Sequence, residues 1–201
     1  MIIGKGGFIS NQDDFELSNS KSGIKKEKVN EREYYSLDQK WLELSINKSL
    51  EQLKVNCLDV FLIHNPETLF QFEAENLSEK QKRENVQNKI IDSFQFLNTL
   101  VSKGKIKSYG ISCNTLAENS SHPSFISLSD LHRLSIQQDV HQNFLAVQFP
   151  FNLLEPGALV NKNQNSDTLT LLQYAKVKSI FFYFFNISLK KQNKRKMIFL
   201  V

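Results

Sequence analysis

The stretch Leu58-Asp59-Val60-Phe61-Leu62-Ile63-His64-Asn65-Pro66 decides the fold. Its nearly unbroken apolar run has the length of a buried strand, and His64-Asn65-Pro66 ends it. Continuous rather than alternating hydrophobicity marks a strand covered on both faces, the habit of parallel sheets. Just before it, Leu42, Ile46, Leu50 and Leu53 recur at spacings that place them on one helical face. Ser36-Leu37-Asp38-Gln39 reads as a capping box for that helix, with Ser36 as N-cap and Gln39 at N3.

The alternation continues in both directions. Upstream, residues 1–3 form a short apolar run stopped by Gly4, Gly6 and Gly7, and the polar residues 10–35 read as a long loop or insertion. Downstream, after another very polar stretch at 71–88, Ile90, Phe94, Leu97 and Val101 resume a helical face. Gly104 follows as its C′ residue. Ile106–Ser112 and 145–149 read as strands, 125–136 and 169–176 as helices, and 180–185 as one more strand. This β-α-β-α order predicts a parallel sheet covered by helices. The pattern alone does not separate a closed barrel from an open doubly wound sheet, but no GxGxxG follows the first strand, which disfavours the latter.

The 201 residues, 40% apolar and 23% charged, are ample for one domain with a core and thin for two. A full (β/α)₈ barrel usually takes about 250. The net charge of +4 is unevenly held. From Val177 onward there are six basic and no acidic residues, against 19 basic and 21 acidic in the preceding 176. The basic balance belongs to a tail, which argues against a nucleic-acid partner. Cys57 and Cys113 stand far apart in apolar runs without metal-ligand spacing, and read as buried free thiols of a reducing compartment. Met1 leads straight into Ile2-Ile3-Gly4-Lys5 without the apolar core of a secretion leader. The apolar run at 180–189 is too short to span a bilayer. The expectation is a cytoplasmic protein without a membrane or metal.

In an α/β barrel the active site lies at the C-terminal ends of the strands. The polar residues expected there are Lys5, then His64 and Asn65, then Ser112 and Asn114, and finally Gln148. Here a resemblance enters. Leu62-Ile63-His64-Asn65-Pro66 is similar to the aldo-keto reductase segment in which a strand ends in the catalytic histidine. The stretch Lys103-Gly104-Lys105-Ile106-Lys107-Ser108-Tyr109-Gly110-Ile111-Ser112 resembles another segment of that family. So does Ser49-Leu50-Glu51-Gln52-Leu53 with Leu58-Asp59-Val60. Val147-Gln148-Phe149-Pro150-Phe151-Asn152 resembles the strand whose glutamine touches the nicotinamide amide, and residues 1–7 resemble the strand of the catalytic lysine.

The resemblance covers roughly residues 1–176 and implies a partial TIM (β/α)₈ barrel, about strands 3 to 6 or 7 of the family fold. Residues 177–201 then form a divergent Phe- and Lys-rich tail that suits a gene-model error, with 180–185 as the next barrel strand the milder alternative. The implied activity is NADP(H)-dependent, or NAD-dependent, reduction of a small aldehyde or ketone, or oxidation of a sugar alcohol group. Lys5 would be the lysine that tunes the acid's pKa, and His64 would orient the substrate oxygen. Ser112, Asn114 and Gln148 would hold the carboxamide. In the family Ser and Asn are adjacent; here Cys113 intervenes, which leaves open whether Cys113 or Asn114 takes the asparagine's place. The family's aspartate and tyrosine precede the lysine strand and have no counterpart in this sequence. Little reductase activity is therefore expected. The alternative reading is a catalytically inactive fragment that serves as a binding or interaction module.

Overall fold

Strand β1 (Ile3–Gly6) leads into a small antiparallel sheet of β2 (Phe8–Ser10), β3 (Glu27–Lys28) and β4 (Glu33–Tyr35). Helix α1 (Gln39–Leu53), β5 (Leu58–His64), α2 (Glu79–Ser102), β6 (Ile106–Ser112), α3 (Leu128–Gln137) and β7 (Phe144–Pro150) follow. A short helix α4 (Gly157–Val160) and a hairpin of β8 (Lys162–Gln164) and β9 (Leu169–Thr170) come next. The chain continues through α5 (Leu171–Val177) and β10 (Phe181–Phe185) to β11 (Met197–Phe199). This computed structural model describes residues 1–14, 23–185 and 197–199. The strands β1, β5, β6, β7 and β10 pair side by side in parallel, and β11 adds antiparallel to β10.

The register sorts side chains onto two faces. Phe61, Ile63, Tyr109, Ile111, Val147 and Phe149 share one core with Leu42 and Ile46 of α1, Ile90, Phe94 and Leu97 of α2, and Leu131 of α3. That face lies beneath the helices. The opposite face carries Ile3, Val60, Leu62, Ala146 and Tyr183, which form a separate cluster. Tyr183 Oη on β10 donates to Sδ of Met1, just ahead of β1, at 3.1 Å. In a flat sheet, four steps of about 4.8 Å would separate those strands. The sheet is therefore rolled, with Tyr183 and Met1 meeting across its concave side. A rolled parallel sheet with helices outside is an open section of a (β/α)₈ barrel.

Helix starts are set by side-chain caps. Ser78 and Gln81 form a full capping box on α2, and Thr170 and Gln173 another on α5. Ser127 accepts from Asp130 N at 3.1 Å, so α3 begins at Leu128 rather than at 125. Gly104 holds the left-handed C′ position after α2, with φ of 72°.

Several sequence expectations are corrected. Residue Asp38, not Ser36, caps α1, accepting from Lys40 N at 2.9 Å. The Ser36 hydroxyl is engaged elsewhere, donating to Lys25 O at 2.6 Å and accepting from Asp38 N at 3.0 Å. Leu53, at the end of α1, is exposed rather than part of its buried face. The expected loop at 10–35 contains β3 and β4, and Ser36 N closes the excursion on Gly7 O at 2.8 Å. The polar stretch 71–88 holds the first turns of α2, which bury only Val86 before Ile90. Gly4 and Gly6 do not stop β1 but lie within it. A Cβ at either would stand 2.7 Å from Leu58 Cδ1 or Phe61 Cζ, so the bare backbone lets neighbouring side chains close in. Cys57 is half-buried rather than buried; Cys113 is buried, and both thiols are free. The strand β10 joins the parallel sheet beside β7, the alternative in which 180–185 is the next barrel strand. Positions 186–196 and 200–201 of the expected tail lie outside the described residues.

At the N-terminal end of the sheet, Asp59 joins three strands. It accepts from Ile2 N and from Lys107 Nζ, each at 2.7 Å, and lies 3.9 Å from the terminal ammonium. The Lys107 hydrogen bond, aided by that of Ile2, holds its carboxyl below the usual carboxylate range. A carboxyl with a lowered folded pKa stabilises the fold above its unfolded value, about 3.9, and ceases to do so as pH falls through the folded value. Asp59→Asn should therefore be less stable than the parent at pH 7, with the gap shrinking once pH drops below the ordinary carboxylate range. Urea unfolding at both pH values checks this, and a gap independent of pH counts against it. At Gly110, an added Cβ would fall 1.7 Å from Ala146 O, a backbone obstacle that no side-chain motion relieves. Gly110→Ala is expected to lose more than the ~1–3 kcal/mol of ordinary overpacking. A loss under about 1 kcal/mol would contradict the β6–β7 register.

Candidate active site

Three of the expected site residues converge on the concave face. Lys5 Nζ donates to Ser112 Oγ at 3.2 Å and to Gln148 Oε1. Ser112 Oγ also donates to Gln148 Oε1, at 2.9 Å. Each comes from a different strand, β1, β6 and β7, and each lies toward its strand's C-terminal end. Ser112 is 1% and Gln148 3% exposed, so the cluster is closed to bulk water except through Lys5, which is half-buried. Contrary to the sequence reading, Lys5 lies within its strand rather than after it.

His64 is the last residue of β5 and pairs in register with Ser112, which in turn pairs with Gln148. It is half-buried, and its ring meets Phe8 edge to face at 5.4 Å between centroids. The ladder runs on past the strand ends. Asn65 N donates to Ser112 O at 2.6 Å and Cys113 N to Gln148 O at 2.8 Å. These bonds lock the rims of β5, β6 and β7 together.

Asn114 is exposed and is not bonded to the Lys5 cluster. Its backbone N and its Nδ2 both donate to Glu67 Oε1, at 2.9 and 2.8 Å. Cys113, between Ser112 and Asn114, turns into the helix-side core, 1% exposed, with its sulfur 3.4 Å from Thr115 Oγ1. Burial, with the negative charge of Glu67, pushes its thiol well above the ordinary range. A thiol so placed stays protonated and reaches no ligand on the concave side. Of the two residues the sequence left open, only Asn114 presents an amide to solvent at this rim.

Two participants escaped the sequence reading. Glu67 lies in the first turn of the 3₁₀ helix Pro66–Phe72 that follows His64-Asn65. Its only local signal was an acid just behind the helix-starting proline, where the helix dipole favours one. Tyr183 faces the concave side, as an alternating reading of Phe181 to Phe185 would have indicated. Among the described residues, no group of three or more His, Cys, Asp or Glu side chains is placed to hold a metal ion, and no helix is long and apolar enough to cross a membrane.

Residues 19–185 match the sequence model of the aldo/keto reductase family. The chain belongs to that family. None of the curated proteins matches it. Among solved structures, a putative aldo-keto reductase of Pseudomonas aeruginosa is 14% identical, with 90% of this chain and 47% of that one covered and a TM-score of 0.46. The holo form of an aldo-keto reductase from Bacillus halodurans is 10% identical over 91% of this chain and 41% of its own, again at 0.46. An aldo/keto reductase from Klebsiella pneumoniae, solved in complex with NADP and acetate, is 14% identical over 71% and 36%, at 0.41. This aldo/keto reductase chain thus spans about half or less of those relatives' lengths.

The Gln148 oxygen is the shared acceptor of the cluster, so its loss removes the acceptor of the buried Ser112 hydroxyl and one of the partners of Lys5. Gln148→Leu is expected to cost about 1–3 kcal/mol, the penalty of leaving buried polar groups unpaired. Ser112→Ala, which leaves Lys5 bonded to Gln148, should cost less. Chemical unfolding of both variants checks the order, and the reverse order would count against the cluster.

Proposed function

We propose that this chain carries the cofactor-facing part of an aldo-keto reductase site, one that binds NADP(H), with NAD(H) as the lesser choice. The observation that carries the proposal is the hydrogen-bonded cluster of Lys5, Ser112 and Gln148, with His64 in register beside it. The donor set fits a carboxamide: Gln148 and Asn114 each have an acceptor oxygen and N–H donors, and Ser112 has a hydroxyl that does either. A bound nicotinamide nucleotide supplies a hydride equivalent, to be passed to or taken from a small carbonyl or alcohol such as a sugar. The chain's own contribution is placement. Gln148, Ser112 and Asn114 orient the amide, His64 orients the substrate oxygen, and Lys5 supplies positive charge near the reacting atoms.

The proton donor is the weak point of the chain as it stands. Burial raises the hydroxyls of Tyr35, Tyr109, Tyr174 and Tyr183 above the ordinary tyrosine value, the opposite of what an acid tuned toward neutral pH requires. Tyr109 is bound to Val140 O, Tyr174 lies against His132, and Tyr34 is covered by Lys26. We therefore place this chain among proteins that bind the nucleotide and turn over slowly by themselves. A cytoplasmic setting suits the two free thiols. One observation favours the alternative of a catalytically silent interaction module. Leu153, Leu154, Leu159 and Val160, in the segment after β7, are 99%, 69%, 58% and 60% exposed.

Fluorescence titration with NADPH and an NADPH-oxidation assay over a panel of aldehydes test these readings together. The expected result is saturable binding with turnover far below the ordinary range of about 1–10³ per second. Turnover within that range would overturn the slow-turnover assignment. Absence of saturable binding would sink the cofactor assignment and favour the interaction module.

A further inference from the structure

Among the described residues, Glu67 has no cationic partner. Asn114 donates to it twice, from N and from Nδ2, both times to a single oxygen, Oε1, and the buried Cys113 thiol lies against the same carboxylate. Its other oxygen, Oε2, is buried without a hydrogen-bond partner among the described residues. The carboxylate is thus built into the rim: Pro66 starts the 3₁₀ helix that carries it, and Asn65 N anchors that helix to Ser112 O at 2.6 Å.

A carboxylate can only accept hydrogen bonds. Asn114 must therefore turn its NH₂ toward Glu67 and its carbonyl oxygen away. Oδ1 has no partner among the described residues, and Asn114 is exposed. An exposed asparagine without such a neighbour would rotate between two nearly equivalent orientations. At the same rim Gln148 Oε1 already accepts from Lys5 and Ser112. Asn114 Oδ1, on an exposed residue whose NH₂ is held by Glu67, is an acceptor left open at this rim.

We infer that Glu67 is a positioning residue: it fixes the Asn114 side-chain amide so that Oδ1 accepts an N–H of a ligand carboxamide. This rests on the cofactor reading above. It makes Glu67, through Asn114, a determinant of preference for a carboxamide over a ketone at the nicotinamide C3 position.

The test compares binding of NADP⁺ with that of its 3-acetylpyridine analogue, which keeps the carbonyl but has no carboxamide N–H. The proteins are the parent, Glu67→Gln, Glu67→Met, Asn114→Ala and the Glu67→Met/Asn114→Ala double variant. Glutamine retains an acceptor oxygen at the right place; methionine retains the bulk without it. E67M should weaken NADP⁺ binding by about 3- to 10-fold, the span of one hydrogen bond, and leave the analogue unchanged. E67Q should stay within about twofold of the parent for both, since the two hydrogen bonds from Asn114 are weakened but kept. In the N114A background, E67M should have no further effect on NADP⁺. Equal losses for NADP⁺ and the analogue in E67M would overturn the inference, as would a further loss in the double variant. If E67M fails to fold, E67Q decides: a loss above about threefold for both nucleotides alike overturns the inference, and retained discrimination supports it. A parent chain that binds neither nucleotide would instead overturn the cofactor reading, and the inference with it.

Discussion

A lysine on β1 bonds to a glutamine on β7 across two intervening strands. Laid flat, three steps of about 4.8 Å would hold those strands roughly 14 Å apart, beyond easy reach of the two side chains. The roll of the sheet removes that gap, and everything at the candidate site follows from it. Roll brings Lys5, Ser112 and Gln148 onto one concave wall, sets His64 beside them, and lets Tyr183 touch Met1 on the same side. It also divides the apolar residues, sending most of them to the helix-covered face and leaving a small cluster of Val60, Leu62, Ala146 and Tyr183 inside.

The site is polar where the barrel wall ends and apolar just below. Leu62 precedes His64 by one inward-facing step, and Ala146 precedes Gln148 in the same way. A ligand at this rim would meet an apolar floor and a polar collar, which suits a flat aromatic ring bearing one amide. The helix side is chemically quiet by contrast. Cys113 and Tyr35 are buried there with raised pKa values, so neither thiolate nor phenolate forms near neutral pH.

Much of this was legible in the sequence, for identifiable reasons. The long apolar run of β5 and the shorter strand-like runs of β6 and β7 stand out because strands covered on both faces have few residues in common with loops. The helical faces of α1 and α2 were readable from Leu42 and Ile46, and from Ile90, Phe94 and Leu97. What escaped was short or solvent-facing. β3 is only Glu27–Lys28, and charged residues in a two-residue strand carry no periodicity. The first turns of α2 are polar because most of their residues face solvent, and their capping box was hidden in a long polar run. Ser36 looked like the cap, but its hydroxyl is engaged by Lys25 O, and Asp38 takes the role instead. Lys5, Ser112 and Gln148 were nameable from their places at strand ends, and the family resemblance supplied their roles. Glu67 was not, because its partner lies 47 positions away and the link depends on how two loops meet.

The hydrogen bond from Ser36 N to Gly7 O has a wider meaning. It brings the departure and return points of the β2–β4 excursion within one bond of each other, at a fixed place beside the barrel wall. The ends of that excursion are held in the core by Ile9 and Tyr35, both fully buried, so added length would fall on its exposed middle. Doubling such a segment raises its closure entropy by only about 0.6 kcal/mol. The junction is therefore a place where added loop length costs little in chain entropy.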